Sequence, residues 1–232
     1  MAYTPLRIDF VDLDVVCTRT GGNGRHGFKT HTAYILLNEE TGAEQPFGPT
    51  CAEIVLGGKA ALRGIPDFTT RDFTPEAGEG DQGTGKGGGG GGSGSLGASA
   101  DDKVRGFAIR YLLLRMERVA NIPGIVPGIR FEALQVIYDR FKQTRILTDD
   151  DIRYIINLEK SERTPAEYRS TRLLDVYTAY IQLQRQIKRT TSAKGLEFLT
   201  SVRDNSLLRK LKLSALQIEK AKLKLHPEAF AA

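Results

Sequence analysis

The sequence predicts an α+β protein: a small β-rich module at the N-terminus, a glycine-rich flexible linker and a C-terminal helical bundle. Apolar residues alternate with polar ones near the start of the chain, which is typical of strands. Twelve of the 25 glycines lie within residues 78–97, where few side chains are available to offset the loss of backbone entropy. From Val104 onward apolar residues recur at helical spacing. We therefore divide the chain into residues 1–77, 78–100 and 101–232.

The N-terminal module is predicted to contain two strands, a short return strand and a short helix. Leu6 to Val15 alternate with one slip, which indicates a strand with a bulge or bend near Phe10. The β-branched and aromatic stretch Thr30–Asn38 predicts the second strand. A turn signal at Glu40-Thr41-Gly42 precedes a short return through Gln45 to Phe47. Pro49 to Leu56 predict a helix that Gly57 ends.

The C-terminal part is predicted to be all helix. Two helix starts are marked by capping residues, Thr148 before an acidic first turn and Thr164 before Pro165 and Glu167. The five predicted helices span residues 104–120, 129–144, 148–158, 164–190 and 207–225, the last one ending before Pro227.

Charge is distributed unevenly along the chain. The whole sequence has a net charge of +5, but residues 1–100 hold 8 Lys+Arg against 12 Asp+Glu, a net charge of −4. Residues 161–232 hold 14 Lys+Arg against 7 Asp+Glu, a net charge of +7. This basic C-terminal part predicts a polyanionic partner.

Several classes of protein are excluded by composition. No run approaches the roughly 20 apolar residues that span a bilayer, and the start MAYTPLRIDF has no secretory pattern. Two cysteines cannot form a disulfide framework. No nucleophile-elbow, HExxH or dinucleotide motif is present. We expect a cytoplasmic protein that is not an enzyme, with no membrane partner.

The two cysteines are the most informative residues for a bound metal. Cys17 is expected at the end of the first strand and Cys51 in the first turn of the short helix, and a hairpin between them would bring the two thiols together. A structural zinc site needs four N, S or O ligands. We therefore predict Cys17, Cys51 and His31 as ligands, with Asp14 or His26 as the fourth.

These residues carry a resemblance to a known kind of module. The stretches Cys17-Thr-Arg-Thr-Gly21, His31 to Asn38, Glu40-Thr-Gly42 and Phe47-Gly-Pro-Thr-Cys51-Ala52 resemble the zinc-ribbon-like module of uncharacterised phage and plasmid proteins. In that group a Cys-x-x-Cys knuckle precedes a hairpin, and a Val-Gly-x-x-Cys-Ala segment begins a helix. The resemblance covers residues 10–57 and implies association with DNA or RNA.

The chain departs from that pattern at the first knuckle position, where Asp14 replaces cysteine. Two alternatives stay open. Either Asp14 completes a zinc site, because aspartate can ligate zinc, or the module keeps its fold without the metal. A zinc held here would have a structural role.

Basic residues on the last predicted helices are the candidates for nucleic-acid binding. Spacings of three and four place Arg185, Lys188 and Arg189 on one side of a helix, and the next helix adds Arg209, Lys210 and Lys212. Such clusters bind phosphates without base specificity. We predict a non-enzymatic nucleic-acid-binding protein, a subunit or accessory factor of a phage- or plasmid-encoded nucleoprotein complex, RNA-guided complexes included. The alternative is an adaptor whose bundle docks on a larger machine.

Overall fold

The structure is a computed structural model that describes residues 2–19, 26–71 and 100–231. Within these residues it contains a three-stranded antiparallel sheet followed mainly by helices, so the predicted α+β class is confirmed. The chain divides into two units, residues 1–107 and 108–232. Residues 78–99 of the predicted linker lie outside the described residues.

The sheet of the N-terminal unit has the order β1-β2-β3, with β1 at Tyr3–Phe10, β2 at Thr32–Asn38 and β3 at Glu44–Phe47. The turn between β2 and β3 forms where the sequence predicts it. The Asn38 side-chain oxygen accepts hydrogen bonds from the backbone N–H groups of Glu40 and Thr41, at 2.9 and 3.2 Å. Gly42 then adopts φ +69°, a left-handed conformation that glycine reaches without steric cost.

The first strand is shorter than predicted, and its irregularity lies elsewhere. β1 ends at Phe10, and the register shifts between Pro5 and Arg7 rather than near Phe10, next to a proline that cannot donate to the ladder. Beyond the strand, the Val15 N–H donates to the carbonyl of Asp12 at 3.1 Å. Leu13 and Val15 therefore lie in a turn with exposed side chains, so the apolar alternation continues past the end of the strand and does not mark its boundary.

The short helix follows the prediction closely. α1 spans Pro49–Val55, and Gly57 has φ +77° just beyond its end. Its buried residues are Cys51 and Ala52. They pack into one apolar cluster with Cys17, Leu36 and Phe47, so the core of this unit forms where the helix covers the sheet.

The helices bear out the predicted all-α character of the C-terminal part. The α-helices are α2 at Ala100–Leu113, α3 at Glu132–Thr144, α4 at Asp149–Lys160, α5 at Ser170–Arg189, α6 at Ala193–Ser201 and α7 at Ala215–Lys220. Two of them, α2 and α6, continue into π-helical stretches, at Leu114–Val119 and Val202–Leu208.

The predicted cap at Thr164 is wrong. Its hydroxyl donates to the carbonyl of Leu158 at 2.6 Å and so completes the end of α4. The 3₁₀ turn Ala166–Tyr168 follows, and α5 begins only at Ser170. A threonine before proline can cap the start of a helix or bond to the end of the preceding one, and the sequence pattern is the same in both cases.

The predicted helix over residues 207–225 is also wrong. Leu211 and Lys222 adopt left-handed φ angles of +50° and +52°. The first ends the helical stretch before α7, and the second follows the end of α7. Leu211, Leu213 and Leu223 are all buried. The left-handed residues turn the chain out of the helix, and residues 211–214 and 221–226 are two non-helical segments on either side of α7.

The start of α4 is a reciprocal capping box. The Thr148 backbone N–H and hydroxyl donate to the Asp151 carboxylate at 3.0 and 2.8 Å, and the Asp151 N–H donates back to the hydroxyl at 3.2 Å. Arg140 forms an ion pair with the same carboxylate. Burial acts to raise the pKa of Asp151, but these hydrogen bonds outweigh it and hold the pKa below the ordinary value.

We expect Asp151→Asn to destabilise the full chain by about 1–2 kcal/mol at pH 7, because hydrogen bonds to a charged acceptor are lost. A lowered pKa in the folded state stabilises above the unfolded value of about 3.9 and is lost as the pH falls further. The difference from wild type should therefore shrink below about pH 4. Urea unfolding followed by far-UV circular dichroism at several pH values measures it.

Asp150→Asn is the matched control, because the Asp150 side chain is 86 % exposed and pairs only with the exposed Arg153. Its effect should be close to zero. Equal destabilisation by both variants, or a difference independent of pH, would contradict the assignment.

Candidate metal centre and nucleic-acid interface

Cys17 is fixed at the junction of three backbone segments. Val16 forms a bridge with Gly27, and the Cys17 N–H donates to the carbonyl of His26 at 2.9 Å. The next residue, Thr18, donates to the carbonyl of Pro46 in β3 at 2.9 Å. Cys17 is completely buried as a result.

Cys51 and His26 complete a cluster around this thiol. Cys51 is the third residue of α1, the helix that starts immediately after β3. The ligand atoms of Cys17, His26 and Cys51 all lie within 4.8 Å of one another, and the Cys51 Sγ and His26 Nε2 atoms are 3.5 Å apart. The two cysteines are buried, whereas His26 is exposed.

Each thiol has a hydrogen-bond donor beside it. The backbone N–H of Gly48 donates to the Cys17 sulfur at 3.4 Å. Burial and the neighbouring Cys17 thiol raise the pKa of the Cys51 thiol, and the adjacent Arg19 guanidinium acts in the opposite direction. For Cys51 the effect of burial is the larger one, so the pKa of its thiol lies above the ordinary value, and a metal ion would have to displace the thiol proton on binding.

The donor set fits zinc. Two thiolates and one imidazole are typical zinc ligands, and three ligand atoms this close can share one ion. Cysteines that served only as small core side chains would not need a solvent-exposed histidine beside them. The spacing therefore confirms that the two predicted cysteines come together in a group that could hold a metal ion.

Two of the four residues predicted as ligands lie outside this cluster. His31 is not part of the cluster, and its Nδ1 atom lies 3.1 Å from the carbonyl oxygen of Val11. Asp14 lies in the turn that follows β1 and is not part of the cluster. His26, weighed in the sequence only as a fourth ligand, takes the position predicted for His31.

Five exposed lysines of the C-terminal unit lie around α7. Lys210 ends the helical stretch before α7, Lys220 is the last residue of α7, and the other three lie in the non-helical segments on either side. Lys210 and Lys212 alternate with buried Leu211 and Leu213, and the same pattern recurs around buried Leu223. None of these lysines forms an ion pair with a carboxylate of the described residues. The exposed set is Lys210, Lys212, Lys220, Lys222 and Lys224.

One of these segments is attached to α5. The Gln182 side chain donates to the carbonyl of Lys224 and accepts from its N–H, both at 2.7 Å. Arg185 and Arg189 are three and seven residues beyond Gln182, so they share its helix face. The non-helical segment after α7 therefore lies beside the basic end of α5. The sequence alone does not predict this contact.

The remaining predicted basic residues differ in their surroundings. Arg185 is half-buried, and both Arg185 and Lys188 already interact with other groups of the chain. Arg189 and Arg209 are exposed, and Arg209 acts electrostatically on Asp204. The leucines that alternate with the lysines, Leu211, Leu213 and Leu223, are buried within this chain.

Comparison with known proteins identifies no relative: no family model, no curated protein and no solved structure matches this chain. Among the described residues, no helix combines the length and hydropathy that crossing a lipid bilayer requires.

We expect His26→Ala to weaken metal binding by the full chain, because it removes one of three clustered ligands. His31→Ala is the matched control and should leave metal affinity unchanged, since His31 contacts a backbone carbonyl instead. Titration with zinc against a chromogenic chelator measures both affinities. Equal losses, or a loss only in His31→Ala, would contradict the assignment of His26.

Proposed function

We propose that this protein is a non-enzymatic nucleic-acid-binding protein whose N-terminal unit is a zinc-stabilised, zinc-ribbon-like module and whose C-terminal unit contacts the phosphate backbone. It acts as a subunit or accessory factor of a nucleoprotein complex. The observation that carries this proposal is the row of exposed lysines around α7, which lie at two helix ends and in the non-helical segments on either side of α7.

The zinc has a structural role in this proposal. Cys17 and Cys51 belong to the same buried cluster as Leu36 and Phe47, so a metal on the two sulfurs would join β3, α1 and the segment before them. Metal binding to such a site contributes directly to folding free energy. The resemblance of residues 10–57 to zinc-ribbon-like modules supports the same interpretation.

The chemistry of the basic surface supports backbone contacts rather than base recognition. Lysine is a flexible point charge, without the fixed fork with which arginine reads a guanine edge. Phe198 is the only aromatic residue among residues 185–224, so this part of the chain offers little for stacking on bases. We therefore infer salt-sensitive binding with little sequence preference.

A second candidate function is an adaptor that docks on a larger protein machine. Val136 and Ile146 in the C-terminal unit are 62 % and 63 % exposed, which favours a protein contact on a different part of that unit. An adaptor of this kind would not need the lysine row.

The test is binding of the full chain to DNA and RNA across salt concentrations. We expect Lys210→Gln/Lys212→Gln/Lys222→Gln to reduce affinity at low salt and to lower the salt slope by about one unit for each lysine that meets a phosphate. Fluorescence anisotropy with labelled duplex and single-stranded oligonucleotides measures both quantities.

The charge-matched control is Arg153→Gln/Lys160→Gln/Arg163→Gln, which removes three exposed cations from α4 and the turn after it. This control should keep most of the affinity. Absence of binding by wild type at low ionic strength would reject the nucleic-acid function and leave the adaptor. Equal losses in both triple variants would mean that overall charge, not the lysine row, governs binding.

A further inference from the structure

The geometry points to an open coordination position on the metal, at which a small anion from solution binds next to Arg19. This inference rests on the proposed metal and adds a ligand-binding role to it. Among the described residues, the cluster offers three donors, Cys17, His26 and Cys51. Zinc normally takes four ligands, and sites with only three protein ligands keep the fourth position for water or another external ligand.

The sequence supports the count of three. Residues 20–25, which connect the first cysteine to His26, read Thr-Gly-Gly-Asn-Gly-Arg and include no cysteine, histidine, aspartate or glutamate. The two other residues that the sequence proposes, Asp14 and His31, are not in the cluster. The nearest described ligand types are therefore already used.

The exposure of the ligands indicates from which side an external donor can reach the metal. Both cysteines are buried in the core of the unit, so their sulfurs would bind the metal from the protein side. His26 is exposed. An ion held between a buried pair of sulfurs and a surface imidazole would lie at the boundary with solvent, within reach of a small ligand.

The charge of the site indicates the kind of ligand. A divalent zinc with two thiolates and a neutral imidazole has no net charge. Arg19 lies beside Cys51 and adds one positive charge. An anion at the fourth position would gain a metal bond and an ion pair with the guanidinium. A neutral ligand would leave the guanidinium charge uncompensated, and a cationic ligand would be repelled by it.

The experiment uses the full chain loaded anaerobically with Co²⁺, whose sulfur-to-metal charge-transfer band reports thiolate ligation and whose visible bands report the whole ligand set. Sodium azide is the probe anion, titrated at constant ionic strength. We expect azide to change the visible bands in a saturable way while the charge-transfer band persists. Perchlorate at the same concentration serves as the ionic-strength reference, because it coordinates metal ions only very weakly.

The role of Arg19 is tested with Arg19→Gln, which should weaken azide binding several-fold while cobalt still binds through the two sulfurs. Lys29→Gln is the matched control: it removes one positive charge from an exposed residue near His26 in sequence, and azide affinity should stay at the wild-type value. Equal weakening in both variants would show a general charge effect and overturn the placement of the anion beside Arg19.

Failure of this inference is distinguishable from failure of the proposed metal. If no charge-transfer band forms with cobalt, the metal proposal itself is wrong. If the band forms and azide leaves the visible spectrum unchanged, the metal is bound but its fourth position is closed. A response to azide that appears only after Asp72, Glu76, Glu79 and Asp81 are changed to their amides would also overturn the inference, because a carboxylate of this chain would then be the fourth ligand.

Discussion

The N-terminal unit depends on the burial of one residue, Cys17, at a point where three backbone segments meet. Its N–H binds the loop at His26, its sulfur accepts the Gly48 N–H, and its neighbour Thr18 binds β3. The same sulfur lies in the apolar cluster that α1 covers. The proposed metal site would therefore use the same atoms as core packing, so that loss of the metal and loss of packing would be thermodynamically coupled.

Several elements of the fold could be predicted from the sequence because the signals for them are local. Gly57 after α1 and the turn at Gly42 require particular backbone angles, and Thr148 with Asp151 forms a capping box. The choice between His26 and His31 could not be predicted. Both lie in the same connection between Cys17 and β2, and the choice depends on the bridge between Val16 and Gly27, a pairing that local patterns do not specify.

The region from residue 207 to residue 225 shows why a missing breaker is weak evidence for a helix. No glycine or proline occurs there, yet Leu211 and Lys222 adopt left-handed backbone angles. Such angles cost about 1–2 kcal/mol in a residue with a Cβ atom. Burial of Leu211, Leu213 and Leu223 offsets that cost, because each fully buried leucine contributes about 1.5–3 kcal/mol. Tertiary packing therefore overrides local preference, and the two-residue spacing of the leucines was the relevant signal.

Burial also separates charge that is available to a partner from charge that is used within the fold. Arg7 forms an ion pair with Asp9 inside the N-terminal unit. Arg115 is buried in the C-terminal unit, where its guanidinium donates hydrogen bonds to the Tyr111 hydroxyl and the Ile129 carbonyl. Net charge counts these groups equally with exposed lysines, although they cannot contact a phosphate.

The lysines around α7 differ from these buried groups, because they are exposed. Burial of alternate leucines requires only that the residues between them face water, and serine, threonine or glutamine would satisfy that requirement equally well. Lys220 lies in the last turn of α7, where the helix dipole favours a cation. Lys212 and Lys224 lie outside the helices and have no such role in folding, and the anionic partner that we propose would account for them.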